Sequence, residues 1–176
     1  MKIRKTDEYK ISYDQALAIN ALLTTCFSGF PSNRNYYRSL PSFRLLAWKK
    51  DKLIGQLAVV FRVIKVGSTV VRVFGISDVC VHPDHRDNNC ARLLLDSLDD
   101  YCQKYRIDFQ ILIAEEQKFY EKRSYQSVSN TVRWLLINDH QSLGVMHGTL
   151  DNSLMIKQTG KVEWNEGLLD LLGGVF

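Results

Sequence analysis

The feature that most constrains the fold is a pair of long β-rich runs separated by two residues. The runs LIGQLAVVFRVIKV (53–66) and TVVRVFGISDVCV (69–81) are rich in β-branched side chains and flank Gly67-Ser68. Glycine readily supplies the positive φ of a type II′ turn, so this pattern predicts a long antiparallel hairpin.

Periodicity elsewhere predicts a mixture of helices and strands. Apolar residues at helical spacing indicate one helix over 14–26, which Asp14 can cap, and a second beginning near Asn89. Further strands are predicted at 43–50, 109–114 and 125–137; short helices are predicted within 27–40 and at 115–123; LMIKQTG (154–160) can form a strand. This order predicts a mixed α/β (α+β) fold with a mostly antiparallel mixed sheet and helices on both faces.

Length and composition predict one ordinary globular domain spanning 1–176, with its central motifs in 43–137. The tail 138–176 is expected to complete the sheet or the acceptor side. The chain is 45% apolar, 24% charged and carries a net charge of +4. No basic run is long enough to predict nucleic-acid binding, and no apolar run approaches the ~20 residues of a membrane span.

The N-terminal segment and the cysteines predict a cytoplasmic protein. MKIRKTDEYKIS lacks the apolar core of a signal peptide, so none is expected. Cys26, Cys80, Cys90 and Cys102 form no C-x-x-C pair and have no histidine at metal-ligand spacing. Free thiols in a reducing compartment, and no metal site, are therefore expected.

A polar segment, HRDNN (85–89), separates the second hairpin strand from the leucine-rich helix that follows it. The first N–H groups of that helix have no intrahelical partner and, with the positive end of the helix dipole, favour an anion. Arg86 adds a guanidinium suited to phosphate. A plain capped turn with a solvated arginine is the alternative interpretation.

Two motifs in sequence order resemble those of the GNAT superfamily of N-acetyltransferases. They are V-x-V-x-P-x-x-R-x-x-N-x-A-x-x-L-L, beginning at Val79, and F-Y-E-K-x-x-Y, beginning at Phe119. The resemblance implies a GNAT-like sheet with strands splayed at an acyl-CoA cleft, and acetyl-CoA (coenzyme A) as the co-substrate. Asn89 and Ser124 stand where the family motifs have glycine, and the side chain of Asn89 could crowd a phosphate approaching the backbone.

The resemblance also implies roles for individual residues. In the family, the strand before the loop pairs with the pantetheine arm and the loop amides cradle the pyrophosphate. The residues implied to bind the coenzyme are Val79, Cys80, Val81, Arg86, Asp87, Asn88, Asn89, Cys90, Ala91, Arg92 and Phe119. Asp78 is the candidate base or acceptor-binding group, and Tyr120 is the candidate acid beside the CoA sulfur. The alternatives are an aspartate paired to a neighbouring strand and a core aromatic.

The implied reaction needs a base. At pH 7 an amine of pKa ~10.4 is neutral about once in 2,500 molecules, which corresponds to roughly 4.6 kcal/mol. A base, or a site that lowers the amine pKa, must offset this cost. A covalent route through Cys80 or Cys90 would need a nearby base such as His82. Glu163, Glu166 and Asp170 could line a pocket for a cationic acceptor, or belong to a solvated tail whose leucines pack on the core.

Within the superfamily the chain is similar to aminoglycoside 2′-N-acetyltransferases and nodulation-factor N-acyltransferases. The similarity lies in the long hairpin and in Trp164-Asn165-Glu166-Gly167, which resembles a C-terminal W-x-x-G. The expected function is acetyl transfer from acetyl-CoA to a primary amine of a small molecule by direct attack in a ternary complex. The alternatives are a longer acyl donor, a non-catalytic acyl-CoA-binding or interaction domain, and a structural protein. Exposed strand edges near the C-terminus are compatible with a homodimer.

Overall fold

The computed structural model describes residues 1–150 and 153–176, without the side chains of Asp87 and Asn88. The strands of this part are β1 (Lys2–Asp7), β2 (Phe43–Lys49), β3 (Lys52–Val66), β4 (Thr69–Val81), β5 (Phe109–Ile113), β6 (Gln126–Ser127), β7 (Val132–Asn138), β8 (Gln141–Gly148), β9 (Leu154–Gln158) and β10 (Leu169–Asp170). The α-helices are α1 (Tyr13–Cys26), α2 (Cys90–Tyr105) and α3 (Gln117–Glu121), and 3₁₀ helices cover Glu8–Lys10 and Pro83–Asn88. None of the described helices is both long enough and apolar enough to span a bilayer.

The long hairpin and the mixed α/β fold are confirmed. β3 ends at Val66, β4 begins at Thr69, and Gly67 between them has a φ of 58°. The predicted strands at 43–50 and 109–114 and the two long helices also form. In each of these segments, large apolar side chains recur at the spacing of a strand or a helix, and these side chains are buried. The local sequence pattern and the tertiary packing therefore favour the same secondary structure.

Several local predictions are wrong. Ser12, not Asp14, caps α1: its hydroxyl accepts from the Gln15 N–H, and the Gln15 side chain accepts from the Ser12 N–H. No helix forms between α1 and β2, all of which the structure describes. The predicted helix at 115–123 is shortened to the five residues of α3.

The predicted strand at 125–137 is divided, and an edge strand was missed. β6 and β7 are separate because residues 128–131 leave the sheet, where the Asn130 side chain bonds backbone carbonyls. β8 was not predicted, and all but its last residue are exposed. A strand with so little buried surface lacks the alternation of apolar and polar residues that marks a half-buried strand.

The first of two compact units contains residues 1–60 and 77–101. β2 lies between β1 and the first half of β3, with antiparallel pairing on both sides. A bulge in the pairing of β2 with β3 lies between Ala47 and Trp48. One face of α1 packs on this sheet. The buried cluster between them consists of Ile19, Leu22, Leu23, Leu46, Leu53 and Cys80.

The second unit contains residues 61–76 and 102–176. Its strands lie in the order β6-β9-β5-β4-β3-β10-β7-β8, where β3 and β4 contribute the turn end of the hairpin. The pairs β4–β5 and β10–β7 are parallel, and β5–β9, β6–β9, β7–β8 and β3–β10 are antiparallel. The tail beyond Asn138 thus supplies three strands.

The W-x-x-G segment of the tail holds the turn of the hairpin. The Trp164 indole N–H donates to the Asn130 side chain at 2.9 Å, and that side chain donates to the carbonyls of Asn165 and Gly167. The Gly67 N–H donates to the Leu168 carbonyl at 2.9 Å. A Cβ on Gly167 would lie 2.7 Å from the Gly67 Cα, so the close approach requires glycine. In this chain the motif therefore has a structural role.

Candidate active site

β4 is continuous from Thr69 to Val81 but has left-handed backbone at Asp78, whose φ is 51° although it is not a glycine. The register of β4 with β5 ends at Ile76 and Leu112, and β4 continues for the residues up to Val81. Left-handed backbone in a strand is costly for a residue with a Cβ, so other contacts must hold it. The Gln56 side-chain amide supplies one, because it donates to the Asp78 carbonyl at 3.1 Å.

Gln56 is held in turn by Arg44, a fully buried cation on β2. The Arg44 Nη1 donates to the Gln56 side-chain oxygen at 3.0 Å. The Nε and Nη2 atoms of Arg44 donate to the two carboxylate oxygens of Glu8 at 2.8 and 3.2 Å, and Nη2 also donates to the Asn35 carbonyl at 2.6 Å. A buried guanidinium is tolerated only when it is paired and hydrogen-bonded, as here.

The Asp78 carboxyl group has an elevated pKa. Burial raises it, the Arg44 guanidinium lowers it by a smaller amount, and the Glu8 carboxylate raises it further. Within the described residues the carboxylate accepts no hydrogen bond. A desolvated carboxylate without a partner is a stronger base than a solvated one, which is what proton abstraction from an amine requires.

Val79, Cys80 and Val81 follow Asp78, and their cysteine is not set up as a nucleophile. The Cys80 thiol is buried, and a hydrogen bond to Cys26 together with burial raises its pKa well above the usual value. His82 does not act as its base: the Nδ1 atom of His82 accepts from the Asp84 N–H at 3.3 Å. Cys90 is also buried, which raises its pKa to about 11. Neither thiol therefore has the lowered pKa that a nucleophilic cysteine requires.

The polar segment forms a 3₁₀ turn that leads directly into α2. His82 begins the turn, and its N–H donates to the Ile54 carbonyl at 2.8 Å, which ties the turn to β3. Arg86 is exposed, and its Nε lies 3.5 Å from the Val81 carbonyl. Asp87 and Asn88 were also predicted to bind the coenzyme, but their side chains lie outside the described part of the structure.

Asn89 stands at the junction of the turn and α2 in a left-handed conformation, with φ 53° and ψ 18°. Its carbonyl accepts the N–H of Leu93 at 3.0 Å, so α2 begins immediately after it. Ala91 and Arg92 lie in the first turn, and Arg92 faces solvent beside Asp96 at 3.4 Å. The N–H groups at the start of α2 are the ones that the helix itself cannot satisfy.

The start of α2 packs closely on β3 because position 55 has no side chain. A Cβ on Gly55 would lie 2.7 Å from the Cys90 sulfur and 3.1 Å from the Cys80 carbonyl oxygen. Gly55 thus sets the distance between the helix start and the end of β4. Gly55 was not predicted to have this role, although an isolated glycine within a strand pattern is a signal of close backbone approach.

Phe119 and Tyr120 lie on α3 in the second unit, half-buried and with their rings perpendicular at 5.0 Å. The Tyr120 ring also packs edge-on against Tyr125 at 5.5 Å. Arg123 stacks on the Phe119 ring at 3.9 Å. Burial raises the pKa of Tyr120 to about 12, although nearby Arg123 lowers it slightly. The phenol is therefore protonated throughout the physiological pH range.

Glu8, Arg44 and Gln56 are site residues that the sequence analysis did not identify. The available signal was a polar residue inside an otherwise apolar strand, as in FRLLAW and LIGQLAVV. Such residues are rarely buried without a partner. Across the part of the chain that the structure describes, no cluster of His, Cys, Asp and Glu could hold a metal ion.

Comparison with known proteins places this geometry in a family. The model of the acetyltransferase (GNAT) domain matches residues 9–128, which include the left-handed Asp78 of β4, the polar turn, α2 and α3. The chain therefore belongs to the GNAT acetyltransferase family. No curated protein matches it.

Solved structures share the fold at low sequence identity. A GNAT family N-acetyltransferase (YhbS) from Escherichia coli in complex with CoA has a TM-score of 0.62 at 15% identity, over 96% of this chain and 88% of that chain. Eis1 from Mycobacterium abscessus has a TM-score of 0.64 at 16% identity over 76% of this chain, and a GCN5-related N-acetyltransferase from Anabaena variabilis 0.62 at 20% over 74%. This chain covers 33% of each of the latter two proteins.

Proposed function

We propose that this protein transfers an acetyl group from acetyl-CoA to a primary amine of a small molecule by direct attack. The observation that carries the proposal is the left-handed backbone at Asp78 within β4. This residue has a half-buried carboxylate that accepts no hydrogen bond from the described residues, and it lies immediately before the segment that the family uses for the pantetheine arm. The family relationship and a structural neighbour in complex with CoA support the choice of donor.

In the proposed reaction the amine nitrogen bonds to the thioester carbon and the carbon–sulfur bond breaks. The proton released from nitrogen goes to the Asp78 carboxylate, directly or through a water molecule. Because the pKa of Asp78 is elevated, it lies closer to the pKa of the amine. The smaller difference lowers the free-energy cost of transferring the proton to Asp78. Arg44 opposes part of the effect of burial and so favours the ionised form of the carboxylate.

We propose that Tyr120 interacts with the leaving sulfur. This role rests on the position of Tyr120 in the family motif. A CoA thiol has a pKa near ~8.5, whereas the Tyr120 phenol has a pKa of about 12, so full proton transfer would be uphill by roughly 5 kcal/mol. We therefore assign to Tyr120 a hydrogen bond to the developing thiolate, with the final proton coming from solvent. Its contribution to the rate should be modest.

The diphosphate of the coenzyme is proposed to bind at the turn before α2. The left-handed Asn89 gives the backbone the course that glycine gives it in the family motif, so the amide groups at the start of α2 stay available. Arg86 is exposed beside them and can form charge-assisted bonds to phosphate. Each such bond contributes about 1.5–3 kcal/mol.

Thiol release from acetyl-CoA, followed with a panel of primary amines, tests the proposal. We expect turnover in the unmodified protein and loss of kcat in Asp78→Asn on the order of 10²-fold or more. Because the carboxylate must be ionised, kcat should fall as the pH is lowered through the elevated pKa of Asp78. The exposed turn variant Asp51→Asn is the matched control.

Three outcomes would redirect the proposal. Coenzyme binding in calorimetry without turnover of any amine would indicate a non-catalytic acyl-CoA-binding domain, and no binding at all would indicate a structural role. Faster turnover with longer acyl-CoA donors would change the donor and keep the mechanism. An aminoglycoside or a glucosamine-type acceptor, suggested by the hairpin and W-x-x-G similarities, belongs in the amine panel.

A further inference from the structure

The buried network around Arg44 connects four separate segments of the first unit. Glu8 follows β1, Arg44 lies on β2, Gln56 on β3, and Asp78 on β4. The bonds run from the Glu8 carboxylate through the guanidinium and the Gln56 amide to the Asp78 carbonyl, at 2.8, 3.0 and 3.1 Å. Every link is between residues at least twelve positions apart in sequence.

Fold stability alone is a weak reason for such a network. A buried ion pair contributes little net stability compared with well-packed apolar side chains of similar size, because both charges lose their hydration. Its distinctive property is that it fixes the orientation of the bonded groups. A guanidinium with three bonded neighbours has few alternative orientations, and the planar amide that it holds also has few. Gln56 is therefore held with its N–H₂ group toward β4.

We propose that Gln56, oriented by Arg44 and Glu8, is a positioning residue for the candidate base Asp78. This inference rests on the proposed function, because it assigns a purpose to the left-handed backbone at Asp78. The hydrogen bond to the Asp78 carbonyl fixes the peptide plane between Asp78 and Val79. That plane determines where the Asp78 side chain leaves the backbone and in which direction the Val79 N–H points.

The same residues set the charge at Asp78. The ionisable groups that act on its carboxyl group are Arg44 from β2, which favours the ionised form, and Glu8 from the turn after β1, which opposes it. The Cys80 thiol, on β4 itself, is protonated and adds no charge. The guanidinium is thus both the anchor of Gln56 and the source of the positive potential.

The variant Gln56→Glu separates two effects of Gln56, the positioning of Asp78 and the hydrogen bonding of the buried Arg44. A carboxylate at this site still accepts from Arg44, so the buried guanidinium keeps its partner, but it cannot donate to the Asp78 carbonyl. We expect kcat to fall by about 10- to 100-fold, with a smaller change in KM for acetyl-CoA, when both proteins are assayed well below their unfolding midpoints. The midpoint of the variant should be lower, because a further carboxylate is buried. The added negative charge should also move the acid limb of the kcat profile to higher pH.

A matched control is Gln158→Glu on β9, in the second unit. The Gln158 side-chain amide also donates to backbone carbonyls, those of Gly160 and Val162, and it is exposed. This variant should keep the kcat and the pH profile of the unmodified protein. Unchanged kcat and pH profile in Gln56→Glu would overturn the proposal.

A second measurement does not depend on turnover. The ¹³C resonance of the Asp78 carboxyl group, assigned by its loss in Asp78→Asn, should titrate at higher pH in Gln56→Glu, and the Val79 amide resonance should shift. Both should be unchanged in Gln158→Glu. If the unmodified protein acetylates no amine but the Val79 amide resonance shifts in Gln56→Glu, the proposed function fails and the positioning role stands. If neither resonance responds, the positioning role fails whatever the activity.

Discussion

Two residues of this chain adopt left-handed backbone where the family motifs have glycine. Asn89 has a φ of 53° and Ser124 a φ of 64°. Asparagine reaches this region at lower cost than most residues because its short side chain can bond to nearby backbone. The substitution therefore keeps the course of the loop and adds a side chain beside the proposed phosphate site.

Replacing Asn89 separates these two effects. Asn89→Gly should keep the fold and tighten CoA binding, because it removes the side chain from the path of the diphosphate. Asn89→Ala should be less stable than Asn89→Gly by ~1–2 kcal/mol, because a Cβ without a polar group is disfavoured at positive φ. Chemical denaturation and calorimetry with CoA measure the two quantities. Weaker binding in Asn89→Gly would show that the asparagine contacts the coenzyme.

Cys26 is expected to be the most reactive cysteine at neutral pH. A hydrogen bond from Cys80 lowers the pKa of the Cys26 thiol to about 7, with a smaller contribution from the positive charge of Arg86 and against the effect of burial. Its alkylation rate should therefore rise steeply through about pH 7, and in Cys80→Ala that rise should move to higher pH. Mass spectrometry resolves the sites, with the buried Cys102 as the internal reference. Equal rates at both sites would contradict the expectation.

At the scale of elements, local patterns and packing agree best in the longest segments. β3, β4, α1 and α2 each repeat their pattern over several turns or pleats, and all four form as predicted. The short segments are mixed: β2 and β5 form as predicted, whereas others do not. The stretch at 125–137 is uniformly β-rich, yet contacts of Asn130 with the distant residues Asn165 and Gly167 divide it. Tertiary contacts prevail where few local bonds compete with them.

The contact of β3 with the start of α2 gives a prediction at this scale. Gly55→Ala should destabilise the protein by about 1–3 kcal/mol, because the new methyl group would overlap the Cys90 sulfur. In the double variant Gly55→Ala/Cys90→Ala the overlap with the sulfur disappears, so the two changes should cost less together than the sum of their separate effects. Urea denaturation of the four proteins completes the cycle. Additive costs would place the strain at the Cys80 carbonyl instead.

At the scale of the whole molecule, the candidate base should reduce stability. The pKa of Asp78 is higher in the folded state than in the unfolded chain, so folding disfavours its ionised form. The resulting loss of stability begins as the pH rises through the unfolded pKa and is complete above the folded pKa. Asp78→Asn should therefore raise the thermal midpoint at neutral pH, while near pH 3 the two proteins should unfold at similar temperatures. A lower midpoint at neutral pH would indicate that the carboxylate is stabilised by a partner.

The sequence by itself determined the long hairpin, the turn and helix that follow it, and the family motifs, because each is specified by neighbours a few residues apart. A glycine at a two-residue turn, β-branched runs and a helical apolar period act within one element. Only the tertiary structure decided the backbone conformation of β4 at Asp78. The left-handed backbone at Asp78 depends on Gln56, Arg44 and Glu8, which lie on other segments of the chain. Hydrogen bonds between distant segments form only after the fold brings those segments together, so no local pattern specifies them.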